Sequence, residues 1–140
     1  MPKLVWGSQM SVHIKVIDAQ HQEILEALNV LDNAVQLGCE KGVLTSTFEA
    51  LVKYVGAHFS TEEILMIRFS YPGYEMHTKE HRNCTSKVLE FWEEFNSGNK
   101  ALPQELVAFL SSWLDNHMVN MDQQYSLYFK EKGFLSQISG

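Results

Sequence analysis

Four runs of apolar residues at spacings of three and four, separated by short breaks, constrain the fold of this chain most. The runs cover about residues 18–37, 44–69, 74–97 and 103–131. Spacing of this kind places apolar side chains on one face of an α-helix. Gly38, the Tyr71-Pro72-Gly73 segment and the Ser97-Gly98-Asn99 segment interrupt the runs, and Pro103 suits the first turn of a fourth helix. No segment shows sustained alternation of period two, so we expect no β-sheet.

The length of the helices and the shortness of their connections predict a bundle. Helices of ~20 to 27 residues are ~30 to 40 Å long, and short loops make consecutive helices antiparallel neighbours. We therefore expect an all-α fold, an antiparallel up-down-up-down four-helix bundle, in a single domain spanning residues 1–140. Residues 1–17 are expected to form an irregular N-terminal arm, and Asp18 is expected to cap the first helix.

Charge and composition exclude several classes of protein. The formal net charge of −6 disfavours nucleic acid as the main partner, because phosphate binding needs a basic surface. No stretch approaches the roughly 18 uncharged apolar residues of a membrane span. The first residues lack the apolar core of a signal peptide, so we expect a cytoplasmic location. Cys39 and Cys84 are expected to be free thiols without a role.

Several histidines and carboxylates occupy positions in the apolar faces of the predicted helices. These residues are His21, His58, Glu62, His77, His81, His117 and Asp122. A lone histidine in a core is usually a hydrogen-bonded structural residue, and a His-Glu pair four residues apart is often a surface ion pair. Together, however, two buried carboxylates and five imidazoles need a cation, since an unpaired buried carboxylate costs several kcal/mol. Only protons or a metal could supply that charge.

The seven polar residues are expected to share one layer of the bundle. His21, His77 and His81 lie near the starts of the first and third helices, and the other four lie near the ends of the second and fourth. In an antiparallel bundle, those starts and ends share one end of the molecule. The five-residue gap between His117 and Asp122 leaves the two ~140° apart on a regular helix. Either long side chains close this gap, or the helix is locally overwound or bulged.

The number and type of these residues indicate two metal ions. Seven ligands are too many for one tetrahedral zinc ion, and calcium or magnesium would require oxygen ligands. They suit two six-coordinate ions if both carboxylates bridge and an oxo or hydroxo group is shared. One coordination position would then stay open for a small molecule such as dioxygen.

The sequence resembles the hemerythrins, and in particular the single-domain bacterial hemerythrins, over about residues 4–130. The segments that carry the resemblance are IDAQH (17–21), HFSTEE (58–63), YP (71–72), HTKEH (77–81) and WLDNH (113–117), with Asp122 five residues later. Two positions depart from the pattern expected of the family. His13 stands where glycine is usual, and Met118 stands where we expect isoleucine. We expect His13 to be exposed and not to bind metal.

The resemblance implies a specific set of metal ligands. It places His77, His81 and His117 on one iron, His21 and His58 on a second iron, and Glu62 and Asp122 in bridging positions. The iron with two histidines would keep the open position. Residues within a turn of the ligands are expected to wall the oxygen pocket, although ordinary core packing explains them equally well. They are Ile24, Phe59, Trp113 and Met118.

The function that follows from these expectations is reversible binding of dioxygen, for storage, delivery or buffering, without enzymatic activity. Dioxygen is then the partner, and an oxygen-consuming protein partner stays unidentified. The alternatives are a di-iron oxidase or peroxidase and an oxygen or redox sensor. Ferritin-like oxidases use Glu-x-x-His motifs and more carboxylates, whereas histidines dominate here.

Overall fold

The computed structural model describes residues 6–98 and 102–138. Within these ranges the structure is helical, with no strand. The helices are α1 (Lys15–Gln36), α2 (Lys41–Arg68), α3 (Tyr74–Asn96), α4 (Leu102–Asn116) and α5 (Asp122–Glu131), with a π-helical turn (His117–Met121) joining α4 to α5. Short 3-10 turns lie at Ser8–Met10 and Leu135–Gln137.

The helices pack as a bundle in the order of the chain. α1 contacts α2 and α4, and α3 contacts the same two helices, so each helix lies between its neighbours in sequence. The π-helical turn makes α4 and α5 one interrupted rod. The predicted all-α four-helix bundle is therefore confirmed. Among the described residues, no helix is both long and apolar enough to cross a membrane.

The first helix begins earlier than predicted, and Asp18 does not cap it. Ile14 adopts an extended conformation before Lys15, and the Asp18 N–H bonds to the Ile14 carbonyl oxygen at 2.9 Å. The Asp18 carboxylate folds back onto the arm, where it accepts bonds from Ser11 Oγ at 2.6 Å and the Val12 N–H at 2.9 Å. The prediction was wrong because this side chain stabilises the arm rather than the helix terminus.

The arm is held against α5 by side-chain hydrogen bonds. Gln123 Nε2 donates to the carbonyl oxygens of Gln9 at 3.2 Å and Ser11 at 3.0 Å, and Ser126 Oγ donates to that of Val12 at 2.9 Å. His13 is exposed and has a φ of 62°. This left-handed conformation favours glycine, which explains why glycine suits the position.

Two apolar clusters fill the bundle, and polar side chains lie between them along the helices. On α1, Ile17 belongs to one cluster and Ile24 to the other, with His21 between them. On α2, Glu62 lies between Phe59 and Leu65, which belong to opposite clusters. The core is therefore interrupted by one polar layer.

Candidate metal centre

All seven polar residues singled out in the sequence meet in the layer between the two apolar clusters. Each is at most 3% exposed. Their ligand atoms form two groups that share one carboxylate, with the atoms of each group within 4.8 Å of one another. One group is Glu62, His77, His81 and His117, and the other is His21, His58, Glu62 and Asp122. His13 belongs to neither group.

Glu62 Oε1 lies between histidines of both groups. It is 3.0 Å from His81 Nε2, 3.5 Å from His77 Nε2 and 3.2 Å from His58 Nε2. The other oxygen, Oε2, accepts a short hydrogen bond from the Tyr125 hydroxyl. One oxygen of Glu62 is thus directed at the histidines and the other at a phenol.

Asp122 spans the two groups with its two oxygens. Oδ1 lies 3.1 Å from His77 Nε2 and 3.0 Å from His117 Nε2, whereas Oδ2 lies 3.0 Å from His21 Nε2. Each oxygen therefore faces a different side of the site. This is the arrangement that a carboxylate bridging two cations requires.

The π-helical turn brings Asp122 onto the same side of the helix as His117. The Asp122 N–H donates to the His117 carbonyl oxygen, a bond that spans five residues instead of four. The wider turn accommodates the extra residue. The sequence left open whether long side chains or a local change in the helix closes the gap between His117 and Asp122. The structure shows a local change, and this change is a bulge rather than overwinding.

Several atoms of the site lack hydrogen bonds although they are buried and close together. Within the described residues, Glu62 Oε1, both oxygens of Asp122, and Nε2 of His77, His81 and His117 have no hydrogen-bond partner. Buried polar atoms are rarely left without a partner. Their convergence is therefore unexplained by hydrogen bonding alone.

The tautomers of two histidines show why a cation is needed. His81 Nδ1 lies 2.8 Å from Glu63 Oε2, and a carboxylate only accepts, so His81 Nδ1 carries a proton. In the neutral ring, Nε2 then presents a lone pair to Glu62 Oε1, 3.0 Å away. Two facing acceptors repel each other unless a proton or metal ion lies between them. His58 Nδ1 makes the equivalent bond to Gln20 Oε1, at 3.2 Å.

The separations between these atoms fit octahedral coordination. Nitrogen and oxygen ligands lie ~2.1 Å from a first-row divalent ion, so neighbouring ligands at right angles are ~3 Å apart. The observed separations run from 2.9 Å, between Nε2 of His21 and His58, to 3.5 Å. Five imidazoles and two carboxylates also suit iron better than calcium or magnesium. The residues present fit the predicted two-ion site.

Without metal, opposing effects set the pKa values of the site. Burial lowers the pKa of His77, but its contacts with Asp122 and Glu62 outweigh burial and raise it to about 9. For His58 burial dominates, so its pKa is lowered. Burial raises the pKa of Glu62, yet the neighbouring histidines, led by His58, hold it well below its usual value. Contacts with carboxylates thus govern the pKa of His77, whereas burial governs that of His58.

Three residues around the site were missed in the sequence. Tyr125 bonds to Glu62, Glu63 to His81, and Gln20 to His58. A usable signal existed for Tyr125, since a buried tyrosine in a core face usually needs a partner for its hydroxyl. Glu63 and Gln20 carried no such signal, because each lies beside a site residue and outside the apolar face.

The four predicted pocket residues lie on one side of the polar layer. Phe59 stacks on His81 with ring centroids 3.9 Å apart, and Trp113 stacks on His117 at 4.3 Å. Ile24 and Met118 are fully buried in the apolar cluster that also contains Phe59. Trp113 is half-buried. These contacts hold the imidazole rings in place and close one side of the layer with apolar groups.

Known proteins are similar to this chain in sequence and in fold. Residues 12–126 match the model of the hemerythrin HHE cation binding domain family. A bacteriohemerythrin of Pseudomonas paraeruginosa (strain DSM 24068 / PA7) is 38% identical over 125 residues, covering 89% of this chain and 80% of that protein. A bacteriohemerythrin of Stenotrophomonas maltophilia (strain R551-3) is 34% identical over 126 residues, covering 90% and 81%.

A solved structure agrees with these relatives. The crystal structure of a wild-type hemerythrin superposes with a TM-score of 0.83 at 25% identity, covering 89% of this chain and 96% of that one. The matched family range contains all seven residues of the candidate metal centre, and hemerythrins bind a di-iron centre. The chain therefore belongs to the hemerythrin family and is similar to its single-domain bacterial members.

Proposed function

We propose that this protein binds dioxygen reversibly at a di-iron centre and is not an enzyme. In this assignment, His77, His81 and His117 would hold one iron, and His21 and His58 would hold the other. Glu62 and Asp122 would be ligands shared by the two ions. The iron pair supplies the electrons that dioxygen needs in order to bind, and the protein supplies the ligands and the pocket.

The observation that carries the proposal is the position of Asp122. Its two oxygens face opposite histidine groups at 3.0–3.1 Å, and neither makes a hydrogen bond to a described residue. A carboxylate that served only as a structural ion-pair partner would not need one oxygen on each side. Because three histidines belong to one group and two to the other, the group of His21 and His58 would leave room for a further ligand.

The surroundings of the site favour binding over turnover. Ile24, Phe59, Trp113 and Met118 contribute hydrocarbon and aromatic surface, and none carries an acid or base that titrates near neutral pH. A site of this kind limits access of water and protons, and general acid-base chemistry requires a positioned titratable group. We propose that these four residues wall the oxygen pocket and favour release of intact dioxygen.

Oxidase or peroxidase activity is the alternative from another class. Ferritin-like di-iron sites supply more carboxylates, whereas this site has five imidazoles and two carboxylates. Oxygen or redox sensing is compatible with the same site, since it would use the same binding equilibrium. The two unpaired cysteines, Cys39 and Cys84, suit a reducing compartment, and we propose a cytoplasmic location.

An oxygen titration of the iron-loaded protein tests this proposal. We expect two irons per chain, an optical spectrum that changes when oxygen is added, and return of the reduced spectrum when oxygen is removed. Consumption of oxygen with release of peroxide or water would establish the oxidase alternative instead. One iron per chain at full loading would contradict the bridging arrangement.

A further inference from the structure

The two histidine groups have outer hydrogen-bond partners of different charge. In the three-histidine group, His81 Nδ1 donates to the Glu63 carboxylate at 2.8 Å. In the two-histidine group, His58 Nδ1 donates to the Gln20 amide oxygen at 3.2 Å. Gln20 is itself oriented, because its Nε2 donates to Thr61 Oγ1 at 3.0 Å. Both partners thus fix a ring with Nε2 directed into the site, but only one is an anion.

The charge of such a partner alters the donor strength of the ring. A carboxylate that accepts the Nδ1 proton makes the imidazole more basic and a better ligand for a more highly charged ion. A neutral amide fixes the same ring orientation with a much smaller electronic effect. The Glu63 side chain is 32% exposed, so solvent weakens its influence without removing it.

We propose that Glu63 and Gln20 are positioning residues that make the two irons inequivalent. Glu63 strengthens His81 as a ligand and stabilises the ferric state of the three-histidine iron. Gln20 leaves the two-histidine iron, where we place the open position, with the weaker donor and the more stable ferrous state. The inference rests on the proposed di-iron function and deepens it, because it assigns a different redox preference to each half of the site.

Replacing Glu63 by glutamine separates charge from position. In Glu63→Gln, the amide oxygen still accepts from His81 Nδ1, so the ring keeps its orientation and only the negative charge is lost. We expect the ferric-to-ferrous ratio at a fixed potential to fall about tenfold, which is a rise of ~59 mV in midpoint potential for a one-electron step. Glu49→Gln is the matched control, because Glu49 is exposed on α2 and ~21 Å along the helix from Glu63.

The reciprocal variant adds the missing charge on the other side. We expect Gln20→Glu to lower the midpoint potential, and titration with Zn²⁺ against a chelator to show tighter binding. Glu63→Gln should bind Zn²⁺ about tenfold more weakly than wild type, within the range expected for outer partners of metal ligands. The Zn²⁺ titration needs no redox change, so it also tests a variant that cannot be loaded with iron.

The outcomes distinguish this inference from the proposed function. If wild type binds two irons and oxygen reversibly while Glu63→Gln and Glu49→Gln have the same potential and Zn²⁺ affinity, the inference is overturned and the proposed function stands. If wild type binds fewer than two irons, both fail. Opposite shifts in Glu63→Gln and Gln20→Glu support the inference, because a purely structural defect would weaken the site in both variants.

Discussion

The backbone N–H of Asp122 bonds to the carbonyl oxygen of His117, five residues earlier, while Asp122 Oδ1 lies 3.0 Å from His117 Nε2. A regular α-helix would separate these two side chains by ~140° around the axis. The π-helical turn thus carries one extra residue at the place where both side chains must face the interior. With five residues from His117 to Asp122, this wider turn is what brings both side chains to the interior.

Deleting one residue within the turn should preserve the site. Asn120 is exposed in the π-helical turn. Its deletion places the aspartate four residues after His117, ~40° away on a regular α-helix, and restores ordinary hydrogen bonding. We expect this variant to bind two irons per chain and to melt within a few degrees of wild type, measured by iron analysis and circular dichroism.

Deletion of Asp115 is the matched control. Asp115 is also exposed, but it lies in the regular helix α4, before the π-helical turn. Its loss rotates one part of the rod against the other by ~100°, which displaces ligands from the interior. We expect loss of most iron. Equal iron binding by the two deletions would show that the turn does not set the position of Asp122.

The sequence predicted much of this arrangement, because apolar spacing reports which helix face is buried. The same spacing placed seven polar residues on buried faces, and the structure brings them together, while their binding of metal stays a prediction. The five-residue gap from His117 to Asp122 left a bulge as one of the open explanations, but residues 117–121 contain neither Pro nor Gly, so the sequence could not select it. Asp18 was misjudged because a helix cap and an arm contact have the same local sequence signature.

Glu62 is the residue whose loss should affect both ions at once. Its Oε1 faces histidines of both groups, and its removal also leaves the Tyr125 hydroxyl without its acceptor. We expect Glu62→Ala to lose most bound iron, as measured by metal analysis, whereas His13→Ala, in the exposed arm, should retain two irons. Full iron content and an unchanged spectrum in both variants would refute the ligand assignment.

Ser70 should be a site for stabilisation without effect on metal binding. It follows the end of α2 with a φ of 53°, and the Tyr71 N–H closes the helix end on the Met66 carbonyl oxygen at 2.9 Å. Glycine adopts this left-handed conformation without steric cost, although it also loses more entropy on folding. We expect Ser70→Gly to raise the free energy of unfolding by ~0.5–1 kcal/mol in denaturant titrations.

Ser60→Gly provides the control with the opposite sign. Ser60 is exposed in the middle of α2, where glycine is a poorer helix former than serine. We expect this variant to be less stable than wild type by ~0.5 kcal/mol. Destabilisation by both substitutions would show that the left-handed conformation at Ser70 costs the protein nothing.

Stability should depend on pH in opposite ways with and without metal. In the metal-free protein, contacts with Asp122 and Glu62 outweigh burial and raise the pKa of His77 to about 9 from 6.5. A raised pKa stabilises the folded state fully below pH 6.5, and this stabilisation is lost as the pH rises through 9. The pKa of His21 is also raised, so its effect has the same sign. The lowered pKa of His58 changes the free energy of unfolding only below pH 6.5.

Metal reverses this dependence, because iron or zinc binds only the neutral imidazoles and therefore competes with protons. We expect the free energy of unfolding of metal-free protein to fall between pH 6.5 and 9, and the additional stability from bound metal to grow over the same interval. Denaturant titrations of metal-free and Zn²⁺-loaded protein at these two pH values measure both effects. In His77→Gln, the fall in the metal-free protein should be smaller. If metal-free wild type gained stability from pH 6.5 to 9, the protonated histidines would not be what holds its buried carboxylates in place.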